Sequence, residues 1–322
     1  MHKTPFIASA LFVALTSLAV GSAQAVSSIN LNSYQVTGNY ALDTLNEMGL
    51  EASAVAYDRD RGSLFFVGDE GMGVVEISRT GQTLGSMAFD WTDTGSSNND
   101  SEGLTSLGNG VLVVVDERPQ IAYQFSFVSS GSVALNNQPK VAITGSTASV
   151  GNVGTEGISY DPVSGKFYSV KQDNPAQLRV STLNFALGGV TASTTTLFSD
   201  ASALFGLNSL SDVQTLSPVD ALAGTAAADN LLILSLDSKK LIELDPSTGD
   251  TLSAFDLTGV TSQAIEGVTV DELGRIYLVA EDSGTPNSRL FVLSPPIPEP
   301  ETYALMLAGL GLVGFVARRR KN

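Results

Sequence analysis

One hairpin, repeated five times along the chain, limits the folds open to it. Its clearest copy joins Glu102-Gly103-Leu104-Thr105-Ser106-Leu107 to Val111-Leu112-Val113-Val114-Val115-Asp116-Glu117 through Gly108-Asn109-Gly110. Two short apolar runs across such a turn form a β-hairpin, because glycine and asparagine supply the positive φ a tight turn requires. The strands are antiparallel, so Glu102, which opens the first, lies at the same end as Asp116 and Glu117, which close the second. The pattern returns as Ser53 to Asp58 with Leu64 to Glu70, Glu156 to Asp161 with Phe167 to Lys171, Ser211 to Gln214 with Leu231 to Asp237, and Glu266 to Asp271 with Ile276 to Asp282. Starts at 53, 102, 156, 211 and 266 set a period of roughly 54 residues, slightly above that of propeller blades.

Two further strands follow each hairpin. Third strands read Gly73 to Ile77, Ala122 to Phe125, Leu178 to Leu183, Leu241 to Leu244 and Arg289 to Leu293; fourth strands read Thr83 to Phe89, Val141 to Thr144, Thr194 to Phe198 and Thr251 to Leu257. Several alternate apolar with polar residues, as half-buried strands do. The fifth unit ends without a fourth strand, while Tyr34 to Leu42 precedes the first unit without a partner. Circular closure resolves both, since the N-terminal strand completes the last blade and removes its open edge. The expected fold is therefore an all-β propeller over residues 26–296, with five four-stranded blades closed by the N-terminal strand. Six blades are the alternative, because Ser97 to Asn152 and Ala203 to Asn230 contain unassigned length.

Both termini carry sorting features. A basic start at His2-Lys3, an apolar run from about Phe6 to Val20 and the small-x-small end Ala23-Gln24-Ala25 predict a secretory signal peptide over residues 1–25. At the other end, Pro298-Glu299-Pro300, an apolar run from Tyr303 to Ala317 and Arg318-Arg319-Arg320-Lys321 occupy residues 297–322. That run is short for a permanent span, suits a transient transmembrane helix, and leaves its basic cluster on the cytoplasmic side. The tail resembles the PEP-CTERM sorting signal of Gram-negative bacteria. That resemblance implies an exosortase-type protease as partner, an inner-membrane intermediate, and release towards the cell surface or extracellular matrix.

The domain between these signals resembles the SdiA-regulated (YjiK-like) family. The resemblance rests on the Glu-Gly-aliphatic strand openings, Val114-Val115-Asp116-Glu117-Arg118, Lys171-Gln172-Asp173-Asn174-Pro175 and Glu266-Gly267-Val268. It implies a β-propeller related to NHL-repeat proteins, with calcium bound in one member and no established activity.

In a propeller the first strand of each blade lines the axis, so residues at its start converge on one rim. This collects Glu102, Glu156 and Glu266, with Ser53 and Ser211 in equivalent positions. The ends of the second strands add Asp69, Glu70, Asp116, Glu117, Lys171, Asp237, Glu281 and Asp282. Repulsion among so many carboxylates is costly unless a cation sits among them. Calcium suits such a rim, because it takes six to eight oxygen ligands and needs neither sulfur nor imidazole. The expected metal ligands are Glu102, Glu156 and Glu266, followed by Asp116, Glu117 and Glu281, and the loop from Asp90 to Ser101 adds oxygen donors at the same rim. The alternative is that these acids bond neighbouring backbone amides or pair with Arg118 and Lys171. Lys171 interrupts the acidic pattern and could serve as an internal counter-ion.

The chain has 322 residues, 43% of them hydrophobic, which is enough for a substantial core. It has no cysteine, which excludes disulfides and thiolate chemistry, and its one histidine, His2, falls in the expected signal peptide. Catalysis that needs an imidazole is thereby excluded from the mature domain. Setting aside Lys3, the four basic tail residues, Glu299 and Glu301 leaves about 12 basic and 31 acidic groups. Nucleic-acid binding, which relies on lysine and arginine at phosphates, is not expected. The favoured reading is an exported, calcium-stabilised binding module for a glycan, peptide or small molecule. A metal-dependent hydrolase of phosphate esters or lactones and a purely structural matrix protein are the alternatives.

Overall fold

A computed structural model describes residues 26–296 apart from Thr44, Asn46 and Ser97; the expected signal peptide and sorting tail lie outside the described residues. The strands form five separate sheets arranged as blades. Blade 1 contains Ala52–Asp58, Ser63–Gly68, Gly73–Ile77 and Thr83–Asp90. Blade 2 contains Ser101–Gly108, Val111–Asp116, Ile121–Ser126 and Lys140–Ala142, and blade 3 contains Thr155–Asp161, Lys166–Lys171, Gln177–Thr182 and Ser193–Ser199. Asp212–Thr215, Leu231–Ser235, Lys240–Leu244 and Thr251–Asp256 make blade 4.

Blade 5 draws Ile265–Val270, Ile276–Ala280 and Arg289–Ser294 from the end of the domain, and its outer strand, Gln35–Ala41, from the beginning. That strand pairs antiparallel with Arg289–Ser294, from Gln35 opposite Ser294 to Ala41 opposite Arg289. The predicted closure is therefore present. The unassigned lengths decorate existing blades and add no sixth: Gly131–Ala134 joins the outer strand of blade 1 in parallel, and Val190–Thr191 does the same on blade 2. The short helix Ala201–Phe205 and the 3-10 turns Asp220–Leu222 and Ala226–Asp229 occupy the rest.

The apolar core falls into five clusters, one between each pair of neighbouring blades. Strand alternation feeds two of them at once. Leu112 and Val114 face blade 1, whereas Val113 and Val115 face blade 3. Leu231 and Ile233 likewise face blade 3, while Leu232 and Leu234 face blade 5. Burial on both faces explains why the second strands read as unbroken apolar runs.

Where the inner strands meet at the axis, they approach too closely for side chains. A Cβ at Gly157 would lie 2.5 Å from the Cα of Asp212 and 2.3 Å from its Oδ1; one at Gly103 would lie 2.7 Å from the carbonyl oxygen of Glu156. One at Gly267 would lie 2.9 Å from the Cα of Ala54. Gly157→Ala is thus expected to cost about 1–3 kcal/mol, lowering Tm by about 2–4 °C per kcal/mol. The exposed Gly259, with open space at its Cβ, should accept alanine within about 0.5 kcal/mol. Thermal denaturation of the two variants compares them directly.

Candidate functional site

The Glu-Gly openings place their glutamates by a shared backbone device. Ser101 faces Asp116 but Gly103 faces Val115, which leaves Glu102 as an extra residue in the ladder. The same shift occurs at Glu266, between Ile265 and Gly267, at Ser53, between Ala52 and Ala54, and between Thr155 and Ile158, the stretch containing Glu156. A β-bulge of this kind bends the strand and re-aims a side chain. The glycine that follows admits the neighbouring blade, so bulge and glycine together bring the glutamates towards one another.

Their mutual electrostatics show the convergence. Burial pushes the Glu102 carboxyl well above the usual range, and the charges of Asp69, Glu266, Glu117 and Asp100 push it further. Glu156 rises for the same reasons, with Glu102, Glu117 and Glu266 as its neighbours. Burial, then Glu281, Asp69 and Glu51, raises Glu266 to about 8. Glu281 is raised by burial and then by Asp282 and Asp69. Acids from blades 1, 2, 3 and 5 therefore act on one another's charge. Glu102 keeps partial solvent access although protein surrounds it.

Glu117, only 1% exposed, is held at one oxygen: Oε1 accepts the Gly154 N–H at 2.8 Å, while Oε2 has no hydrogen-bond donor. Burial raises its pKa, and the Gly154 contact opposes the rise. Among the described residues, no backbone N–H donates to the carboxyls of Glu102, Glu156 or Glu266. Arg118 pairs through Nε with Asp100, and Lys171 donates through Nζ to the carbonyls of Asp173 and Pro175. Glu117 thus meets the amide-bonded alternative through one oxygen, while Glu102, Glu156 and Glu266 take neither a backbone N–H nor a lysine or arginine partner among the described residues.

Asp116 lies elsewhere. It is fully buried, and its alternation places it with Val114 towards blade 1, under the loop that follows Asp90. Burial raises its pKa to about 7; the Ser96 hydroxyl and Arg118 oppose the rise, while Asp100 and Glu117 add to it. Asp237 is exposed in the turn before Lys240–Leu244, away from the axial group.

Blade 4 contributes an acid that the repeat pattern did not single out. Asp212 stands where blades 2, 3 and 5 carry glycine, and it accepts the Val268 N–H at 2.7 Å and its own Val213 N–H at 2.8 Å. It is a bonded strut between blades 4 and 5. Aligning the strand openings exposes it, as an acid in a column of small residues. Asp100 and Glu51, which also act on the axial group, precede the inner strands and are invisible to the repeat.

The donors suit a hard cation, all oxygen and largely anionic. Among the described residues, however, no three acids stand close enough to cage a metal ion. Carboxylates with no cation between them repel one another, which accounts for a spread arrangement.

A ring of five blades around an axial acidic well defines the protein as a β-propeller with a charged axis. The SdiA-regulated family signature spans residues 26–291, and the chain belongs to that family. Residues 296–321 match the PEP-CTERM protein-sorting motif, which marks the chain for export and exosortase-type processing. Among solved structures, Myxococcus xanthus glutaminyl cyclase shares the fold at 14% identity and a TM-score of 0.50, covering 81% of this chain and 95% of its own. A luciferin-regenerating enzyme aligns at 10% identity and TM-score 0.47, covering 81% of this chain and 95% of its own. Regucalcin from Agrobacterium tumefaciens, a calcium-binding protein, aligns at 13% and 0.44, covering 77% of this chain and 72% of its own.

The raised carboxyls determine a pH dependence. A group whose folded pKa exceeds its unfolded value holds a proton that the unfolded chain has released, so stability falls as pH rises between the two values. For Glu266 that window runs from the ordinary glutamate value of 4.5 to about 8. In chelator, Tm should decline steadily from pH 5 to pH 8, and Glu266→Gln should flatten the decline.

Proposed function

We propose that this exported propeller is a calcium-stabilised binding module, with the axial carboxylates as its cation site. Glu102, Glu156 and Glu266 supply the core donors, and Glu117 and Glu281 complete the set together with Asp69. Asp116 serves the neighbouring loop. The observation that carries the reading is the set of buried glutamates, Glu102, Glu156 and Glu266, that take no backbone N–H and raise one another's pKa. A divalent cation drawn in would cancel that repulsion and tie together blades distant in sequence. Calcium tolerates the irregular geometry that side chains from several blades impose.

The surrounding chemistry favours binding over catalysis. With His2 in the expected signal peptide, the mature domain offers no imidazole for proton transfer near neutral pH. The order of sorting features supports passage through the inner membrane, processing near Pro298-Glu299-Pro300, and residence at the cell surface or in the matrix of a Gram-negative bacterium. There the top-face loops would meet a glycan, peptide or small molecule.

The test is thermal unfolding of the purified mature protein at pH 8 in calcium and in chelator. At one hundred times its dissociation constant, a cation bound only to the folded state adds about 2.7 kcal/mol, worth several degrees. Glu102→Gln and Glu156→Gln should act in opposite directions: higher Tm in chelator, because repulsion is relieved, and less than about half the calcium-induced rise. An unchanged calcium effect in both variants would refute the axial site.

A further inference from the structure

A cleft of about 560 Å³ opens beside the axial well, between blade 1 and the loop leading into blade 2. Its size suits a small molecule. Four carboxylates line it, Asp69, Glu70, Asp90 and Asp93, and no lysine or arginine does. The acids occupy two depths. Asp69 is partly buried, and burial together with Asp100 and Glu70 raises its pKa; Asp90 and Asp93 are exposed at the outer end.

The wall of the cleft is apolar. Phe89 and Trp91 meet edge to face at 5.8 Å between centroids, and Trp91 meets Tyr123 in the same way at 6.1 Å, which fixes the indole in place. Met72 adds a flexible apolar side chain that is 56% exposed. The indole Nε1 is buried without an acceptor. Behind the loop wall, Asp116 is 0% exposed and faces the Ser96 hydroxyl of the lining, with no hydrogen bond reaching either carboxylate oxygen. The interior thus places a further acid behind the lining.

We propose that this cleft binds a linear organic dication of the alkyl-diammonium class, with one ammonium at Asp69, the other at Asp90 and Asp93, and the methylenes against Trp91, Phe89 and Met72. An inorganic ion would use the acids and leave the aromatic wall wet, whereas a neutral apolar ligand would strand the carboxylates. A diamine uses both, and ammonium groups near an aromatic face gain a cation–π attraction. The cleft meets the axial set at Asp69, while its aromatic wall and outer acids belong to it alone.

Trp91 is the only tryptophan in the chain, so intrinsic fluorescence reports directly on the wall. Pentane-1,5-diamine titrated into the intact protein in chelator should produce a saturable change in that signal, with matching heat by calorimetry. Asp90→Asn and Asp93→Asn preserve the loop, since asparagine still accepts the Thr92 N–H at position 90 and tolerates the φ of 61° at position 93. Together they should weaken binding by about five-fold or more, and rising salt should do the same. The proposal is overturned if neither fluorescence nor calorimetry detects binding below about 10 mM, a range that already includes weak complexes. An equal response to pentane-1,5-diol, or binding indifferent to the paired Asp→Asn change, would overturn it as well.

Discussion

The near-contact of inner strands at the propeller axis governs the rest of the molecule. Gly103, Gly157 and Gly267 allow the backbone of one blade to lie against the next, at distances that leave no room for a Cβ. A bulge immediately before each glycine then expels one residue from the ladder. In three blades that residue is a glutamate. The same packing that closes the ring therefore presses like charges together, and the repulsion is a consequence of the fold.

The ring tolerates this because its cohesion lies elsewhere. Five apolar wedges, each shared by two blades, hold the domain, and the N-terminal strand seals the seam between its two ends. At the opposite end of the inner strands the links include neutral hydrogen bonds: the Thr105 hydroxyl accepts the Tyr160 N–H, Ser159 accepts that of Thr215, and Thr269 accepts that of Tyr57. One mouth of the channel is thus stitched by satisfied polar groups. The other carries the acids whose charges raise one another's pKa.

Blade 4 breaks the symmetry in an informative way. Asp212 takes the glycine position and uses its carboxyl to bond Val268 and Val213, so it supports the ring while the glutamates burden it. Two aspartates in similar burial, Asp212 and Asp116, differ only in what surrounds them. The first has two N–H donors, and the second has none within hydrogen-bond geometry. That contrast separates an acid bonded into the frame by backbone N–H groups from one packed beneath the loop that forms the wall of the cleft described here.

The blade repeat, the strand order and the closure by residues 35–41 were legible in the chain itself, because strand periodicity and turn chemistry are local properties. The inner strands begin within one residue of the starts read from the repeat: 52, 101, 155, 212 and 265 against 53, 102, 156, 211 and 266. Five blades against six was not legible, since the spare segments at 131–134 and 190–191 join existing sheets through distant parallel pairing. Nor was the fate of individual acids. Glu117 and Asp116 are adjacent in sequence, yet alternation sends one towards the axial group and the other into the wedge between blades 1 and 2. Sequence alone determined which residues form strands and that the C-terminal end carries a sorting motif, because each depends on neighbours along the chain. Which carboxylates share a site was decided only by tertiary structure, because charge interaction depends on distances that exist once the ring has closed.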